Sequence, residues 1–368
     1  VIDSHARRHI VHVFPSTSWG GAEIYTLKLA KWQSERGEKV SVWTTAGSRM
    51  ASEAQASGLC VVTTPLPFRQ PLFALSRIAK TVRKNGFSHL HLHWAGGIWV
   101  FAGIKAFAPV KVFCHIHIWV SHAKKDLLHQ MLFRTVNSII VAGHKAASAA
   151  RDLWSLSEKK IDVIPYAIDL DKFSLLEPAS DPILKTSPRW IGMFARIDRQ
   201  KGTLELLEAL KSVLAQVADL SVMFVGEPNQ GELEYAQEVE TVLAAHPFRD
   251  RIHFFGFRKD YLSLMKVCEL VVAPSYHESY SLAFLDAFAL GKPVITTDIG
   301  GSPDLVEPPR YGWLTAPRDI GDLAGTVLKA VSSIEEISKR GNAAQEMVFK
   351  NHSAQAVLDD FEKVYDLR

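Results

Sequence analysis

Residues 270–297 read LVVAPSYHESYSLAFLDAFALGKPVITT. Leu270–Ala273 is a short run of apolar, mostly β-branched residues, which predicts a strand. Ser275–Ser279 is polar and predicts a loop. From about Tyr280 to Leu290 the apolar residues recur at helical spacing. Gly291 then stops the helix and Pro293 lies just beyond it. Pro293–Thr297 returns to a strand. A strand, a helix and a strand in so short a stretch predict a parallel sheet with crossover helices.

The same alternation extends in both directions. Upstream lie the strand candidates Arg189–Phe194, Leu220–Val225 and Arg251–Phe255, with helices Thr203–Ala215 and Glu232–Ala244 between them. A first series precedes these, with strands Arg8–Phe14, Lys39–Thr44, His89–His93, Val110–Cys114 and Ser138–Ala142. Its helices are Gly21–Gly37 and Pro71–Lys84. The latter places Leu72, Leu75, Ile78, Ala79 and Val82 on one face and Arg77, Lys80, Arg83 and Lys84 on the other. Ile98–Phe107 (IWVFAGIKAF) is apolar all round, as a buried crossover helix is. Between the two series, Asp169–Pro188 holds three prolines and no clear period, and is read as the linker. A last helix, Ser353–Asp366, follows the second series. The expected fold is α/β, with two doubly wound, Rossmann-like parallel sheets facing across a cleft. One domain is 1–172 and the other is 173–352. Such sheets take ligands at the carboxyl ends of their strands.

Bulk properties agree. A chain of 368 residues is long for one domain. No apolar run approaches the roughly 18–20 residues of a membrane span. The start, Val1–His9, is polar with no signal-type apolar core after it, so a cytoplasmic location is expected. Cys60, Cys114 and Cys268 have no CxxC spacing and read as buried, reduced thiols. Residues 1–172 hold 22 Lys and Arg against 11 Asp and Glu, while 173–368 hold 20 against 28. A basic first half suggests an anionic membrane surface or a phosphate-bearing acceptor. No compact basic motif with interleaved aromatics points to nucleic acid.

Four clusters carry chemistry. In the opening stretch, the amides of Ser279 to Leu282 at the start of the helix form an anion site. Glu278 and Asp286 suit sugar and ribose hydroxyls as acceptors of charge-assisted hydrogen bonds. Taken alone, the two acids read more readily as a helix cap and a solvated face. Ile191–Gly202 (IGMFARIDRQKG) presents Arg196, Arg199 and Lys201 beside a helix start, which suits a diphosphate or a solvated basic loop. Ser16–Glu23 (STSWGGAE) places Gly20 and Gly21 after the first strand, where the backbone can approach a ligand or make a tight turn. His91 and His93, then His115 and His117, alternate at the ends of two strands beside Trp94. They read as a polar cleft wall, as buried imidazoles or, less well supported by HxH spacing, as a metal centre.

Six stretches fall in an order that resembles the family 4 retaining glycosyltransferases, which have the two-Rossmann-domain B-type fold. They are WGGAE (Trp19–Glu23), FCHIHIW with its strand-end histidines, VIPYAIDLDKF (Val163–Phe173), FARIDRQKG (Phe194–Gly202), FVGEP (Phe224–Pro228) with FFGF (Phe254–Phe257), and HESYSLAFLDAFALGKPVI (His277–Ile295). The resemblance covers nearly the whole chain and implies that the helix 353–368 crosses back to the first domain. It implies transfer of a sugar from a UDP- or GDP-sugar to a hydroxyl acceptor, with no metal and no resident cofactor, the nucleotide-sugar being a co-substrate. By resemblance, Arg196 and Lys201 hold the diphosphate, with the amides of Tyr280, Ser281 and Leu282. Glu278 contacts the donor sugar and Asp286 the ribose, while Gly256, Phe257 and Arg258 lie near the base. The loop of Gly20 and Gly21 closes over the donor. His117 is the histidine near the reacting centre, with His115 as the other alignment of the doublet.

The resemblance further implies a glycan or lipid-linked acceptor of cell-surface polysaccharide or lipopolysaccharide synthesis, met at the inner face of a membrane. Rivals of other classes are an epimerase or sugar phosphorylase of the same fold, and a non-catalytic sugar-binding protein. The chain departs from the family at Asp286, where Glu is usual, at Tyr166-Ala167, where Asn-Gly is usual, and at Tyr280, where Gly-Phe or a similar pair is common.

Overall fold

A computed structural model describes residues 8–63, 65, 71–101, 103–228 and 230–368. Most of the polar start, and the side chain of Leu72, lie outside the described residues. The chain divides into two compact units, one ending at Ala167 and resuming at Ala354–Arg368, the other spanning Ile168–Ser353.

The first unit holds β1 (His9–Val13), β2 (Lys39–Trp43), β3 (Cys60–Val62), β4 (His89–Leu92), β5 (Lys111–Ile116), β6 (Ser138–Val141) and β7 (Ile161–Val163). They pair in parallel in the order β3-β2-β1-β4-β5-β6-β7. The second unit holds β8 (Arg189–Phe194), β9 (Leu220–Val225), β10 (Ile252–Phe254), β11 (Val271–Ala273), β12 (Val294–Thr297) and β13 (Gly312–Thr315). Their order is β10-β9-β8-β11-β12-β13, again parallel. Counted within each unit, the first six strands follow 3-2-1-4-5-6, the doubly wound Rossmann order. Helices cover both faces, so the inner strands are buried throughout; β9 (LSVMFV) and β12 (VITT) have no exposed residue.

Several expected boundaries move. The segment read as a linker lies inside the second unit and carries a short helix, Asp171–Ser174, and a 3₁₀ turn, Pro182–Thr186. The division falls at Ala167/Ile168 because Ile168 pairs with Ser353, and Lys172 binds Asp286. β3, β7 and β13, of three, three and four residues, are strands that the sequence reading does not contain. Ile98–Phe107 becomes a helix, Gly97–Phe101, and a 3₁₀ turn, Ile104–Ala106. Ile98, Val100, Phe101 and Ile104 are core, while Trp99 and Phe107 are exposed. Cys60 is exposed on the edge strand; Cys114 and Cys268 are buried. Helix Pro71–Asn85 buries Ile78, Ala79 and Val82 and exposes Arg77, Lys80, Arg83 and Lys84. No helix among the described residues is long and apolar enough to cross a membrane.

The last helix, Ala354–Leu367, belongs to the first unit. It buries Val357, Leu358, Phe361, Val364 and Tyr365. Asp359 and Glu362 receive Arg36 at 2.5 and 3.1 Å, and Asp366 receives Arg8 at 2.7 Å.

Candidate functional site

In the second unit the strand order reverses between β8 and β11, so their following loops diverge and leave a crevice at the carboxyl ends. Two backbone features fix these loops together. The Tyr276 amide donates to the Gln200 carbonyl at 2.7 Å. Gly202, at φ +73°, lies so close to the Pro274 carbonyl that a Cβ would overlap its oxygen. Asp198 orders the first loop by accepting from the Gln200 amide at 3.0 Å and pairing with Arg196 at 3.2 Å.

The outcome is a direct pair. Lys201 Nζ donates to Glu278 Oε2 at 2.9 Å, both side chains being largely buried. Arg196, on the same loop as Lys201, is half-exposed and paired with Asp198. Behind Glu278, the Gly301 amide donates to the Glu278 carbonyl at 3.0 Å, and a Cβ on Gly301 would overlap the Ser279 carbonyl oxygen. The helix that follows is Leu282–Ala289, with Ser281 as its N-cap and no side-chain cap bond. It starts two residues later than the sequence spacing suggests. The donors without intrahelical partners are thus the amides of Leu282, Ala283 and Phe284. Tyr280 precedes the cap, its ring buried near His352.

Asp286 is inside this helix and 4% exposed. Its Oδ1 accepts from Lys172 Nζ at 3.0 Å and its Oδ2 from the Tyr261 hydroxyl at 2.7 Å. A ribose hydroxyl would share an oxygen with one of these donors. Burial and the Asp286 charge push the Tyr261 phenol far up, so it stays a donor. Gly256, at φ +63°, accepts from the Gly226 amide at 2.9 Å at the end of β9. Phe257 is 60% exposed. Arg258 is clamped by Asp260 at 2.7 Å and Asp181 at 3.1 Å, which leaves its guanidinium less free for a base than the sequence suggests.

The remaining sequence candidates stand on the first unit. Gly20 caps helix Gly21–Glu35 in an extended conformation, without strain. The loop before it is pinned by Ser16 Oγ donating to Glu23 at 2.6 Å. His91, His93 and His115 do not line an open wall; they are 0–2% exposed beneath Tyr25, Phe361 and Tyr365. His117, just past β5, is partly exposed. Desolvation drives His117 down to about 3 and its buried neighbours well below their ordinary value. Sequence reasoning missed His12, which the β1–β4 register sets directly beside His91, and it missed Gln33, Tyr261 and Gly301. Spacing within β1 carries no signal for His12, since His9 and His12 point to opposite faces; only the register between strands places it.

A glycosyltransferase family 4 model matches residues 19–172, and a glycosyl transferases group 1 model matches residues 188–333. Together they leave unmatched only the ends and the segment between the two sheets. The chain is a family 4-type glycosyltransferase. This glycosyltransferase is 25% identical to the D-inositol 3-phosphate glycosyltransferase of Mycolicibacterium smegmatis, over 91% of its own length and 82% of that protein's. Its fold matches a glycosyltransferase of Rickettsia africae with a TM-score of 0.87, at 18% identity and covering 98% of both chains. It also matches HepE of Anabaena, solved in complex with UDP, with a TM-score of 0.85 at 20% identity, over 98% of this chain and all of that one.

Proposed function

We propose that this glycosyltransferase moves a sugar from a UDP- or GDP-sugar to a hydroxyl of a glycan or glycolipid acceptor, retaining the anomeric configuration and using no metal. The meeting of Lys201 and Glu278 at 2.9 Å, in the switch-point crevice and beside a helix start, carries this reading. One partner suits a diphosphate and the other suits sugar hydroxyls. On donor binding the two exchange each other for the ligand. Arg196, Lys201 and the amides at Leu282 take the diphosphate, Glu278 the sugar, Asp286 the ribose, and Gly256–Arg258 the base. His117, near the reacting centre, and the Gly20-Gly21 loop keep the roles that the family resemblance gives them. UDP in the Anabaena protein supports uridine as the base.

In the reaction, the acceptor oxygen bonds to the anomeric carbon on the face from which the diphosphate departs. The bond from that carbon to the diphosphate oxygen breaks, and the acceptor's proton passes to the leaving phosphate. Arg196, Lys201 and the helix start stabilise the charge that develops there. The acceptor belongs to cell-surface polysaccharide or lipopolysaccharide synthesis, at the cytoplasmic face of a membrane. The exposed Arg77, Lys80, Arg83 and Lys84 support weak contact with anionic lipid.

The test is transfer from labelled UDP- and GDP-sugars in the presence of a chelator, with the product anomer read by NMR. Arg196→Ala and Lys201→Ala should each lower kcat by about a hundredfold, the scale of one lost charge-stabilising contact, with the folded spectrum unchanged. Near-normal transfer by both variants defeats the proposal, and an epimerised or phosphorolysed product replaces it with another reaction.

A further inference from the structure

The first unit contains an ordered line of imidazoles, of which the transfer chemistry uses only the last. His12 on β1, His91 and His93 at β4, and His115 and His117 at β5 stand on one face of three adjacent strands. Four of the contacts along this face run in sequence. Gln33 Oε1 meets His12 Nε2 at 2.7 Å. His12 Nδ1 meets His93 Nε2 at 2.8 Å. His93 Nδ1 meets His117 Nε2 at 2.8 Å. His117 Nδ1 meets the Tyr166 hydroxyl at 2.6 Å. In both histidine pairs the ring centroids are 5.1 Å apart, so the rings meet nitrogen to nitrogen, edge to edge, rather than face to face.

The donors have one direction. Burial keeps His12 down at about 4 and His117 at about 3, so each ring is neutral and carries one proton. The Gln33 amide nitrogen donates to the Tyr365 hydroxyl at 3.2 Å, which turns its oxygen to His12. His12 therefore donates from Nε2 and accepts at Nδ1. His93 and His117 must do the same in turn, and Tyr166 donates to the end of the line. Turning the Gln33 amide over would reverse every donor.

We propose that Gln33, acting through His12 and His93, sets the tautomer of His117, with Tyr166 closing the far end, so that these four are positioning residues for the sugar-facing histidine. The inference rests on His117 holding that role. It also gives Tyr166, which stands where the family usually has Asn, a defined task. Both nitrogens of His117 are engaged, and only the Nδ1 partner can leave without breaking the line. A sugar hydroxyl thus replaces Tyr166 and donates to Nδ1.

A metal centre is the competing use of the same rings, since His12, His91 and His93, and likewise His93, His115 and His117, bring nitrogens within 4.8 Å of one another. The geometry opposes it. The linked nitrogens lie in line with a proton between them instead of converging on one point. Among the described residues no carboxylate hydrogen-bonds any of the five rings to offset a buried divalent charge.

The experiment is long-range ¹H–¹⁵N correlation on the full chain labelled with ¹⁵N-histidine. His12, His93 and His117 should each appear as one Nε2–H tautomer from pH 8 to pH 5. Gln33→Leu, two rings away from His117, should convert the His117 signals to a tautomer mixture. It should lower kcat about tenfold, the scale of one lost hydrogen bond, with the donor KM little changed. Should that variant not fold, Tyr166→Phe serves instead and should shift only the His117 Nδ1 signal. Ordinary titration of these rings near pH 6.5, or His117 signals indifferent to both folded variants, overturns the relay. So does stoichiometric zinc uptake that moves all the rings. Full transfer by His117→Ala would instead defeat the sugar-facing role, while the spectra still judge the relay.

Discussion

Gly202 ties together the two loops that make the crevice of the second unit. Its left-handed backbone and its approach to Pro274 let the β8 loop lie against the β11 loop, and this brings Lys201 to Glu278. Gly202→Ala should therefore act twice. The left-handed conformation alone costs about 1–2 kcal/mol for a residue with a Cβ. The overlap is with backbone, which cannot rotate away, so the loops must separate. The expected result is a lowered melting temperature together with loss of most of the thermal shift given by UDP. A folded Gly202→Ala variant that keeps the full shift would show that the crevice tolerates separated loops. Gly301 makes the same kind of approach to Ser279, and its amide binds the Glu278 carbonyl. With its backbone bound to Gly301 and its side chain to Lys201, Glu278 is a carboxylate in a loop that keeps a defined position.

At the scale of elements, the last helix shows how packing and charge divide the work. Its apolar stripe, Val357, Leu358, Phe361, Val364 and Tyr365, is buried, and Phe361 lies against His91 and His115. Phe361→Ala should destabilise the first unit by about 3–5 kcal/mol, measured by urea unfolding. Asp359→Ala breaks a half-exposed pair with Arg36 and an exposed hydrogen bond from Gln355, and should leave the midpoint near its original value. That stripe could be read in the sequence, as could β8 to β12, each inside an apolar run with polar or turn residues beside it. Arg189–Phe194 and Leu220–Val225 have the boundaries their sequence implies. β3, β7 and β13 were not legible, although β10 and β11 are no longer than they are. The site was legible as residue types near strand ends: Arg196, Lys201, Glu278 and the helix start. Its pairings were not. Lys201 with Glu278 and Lys172 with Asp286 join residues far apart in the chain, and only the strand order determines which loops meet. The histidine line was half legible, because spacing within a strand reveals His91 with His93, while His12 joins them only through the register between strands.

Across the whole molecule, the buried histidines make stability depend on pH in a direction that can be derived. In the folded first unit His12 lies at about 4 and His117 at about 3, with His91, His93 and His115 well below the ordinary 6.5. The unfolded chain therefore binds protons first as pH falls. Stability is intact above pH 6.5 and declines as pH drops from there toward the folded values. Each such ring contributes up to about 1.4 kcal/mol per pH unit across its window, so His12 alone removes about 3 kcal/mol between pH 6.5 and 4. Urea midpoints should stay flat from pH 8 to 7 and fall steeply below 6.5. His115 isolates the cause. It is 0% exposed, and among the described residues neither ring nitrogen has a hydrogen-bond partner. His115→Phe removes two unsatisfied polar atoms and one titrating group while filling much the same space. Stability at pH 8 should hold or rise, because a buried nitrogen without a partner is a penalty rather than a contribution. The acid slope should flatten by about 1.4 kcal/mol per pH unit, one ring's share. An unchanged slope would mean that His115 takes up its proton as readily in the folded chain as in the unfolded one, and that the first unit admits charge where its packing says it cannot.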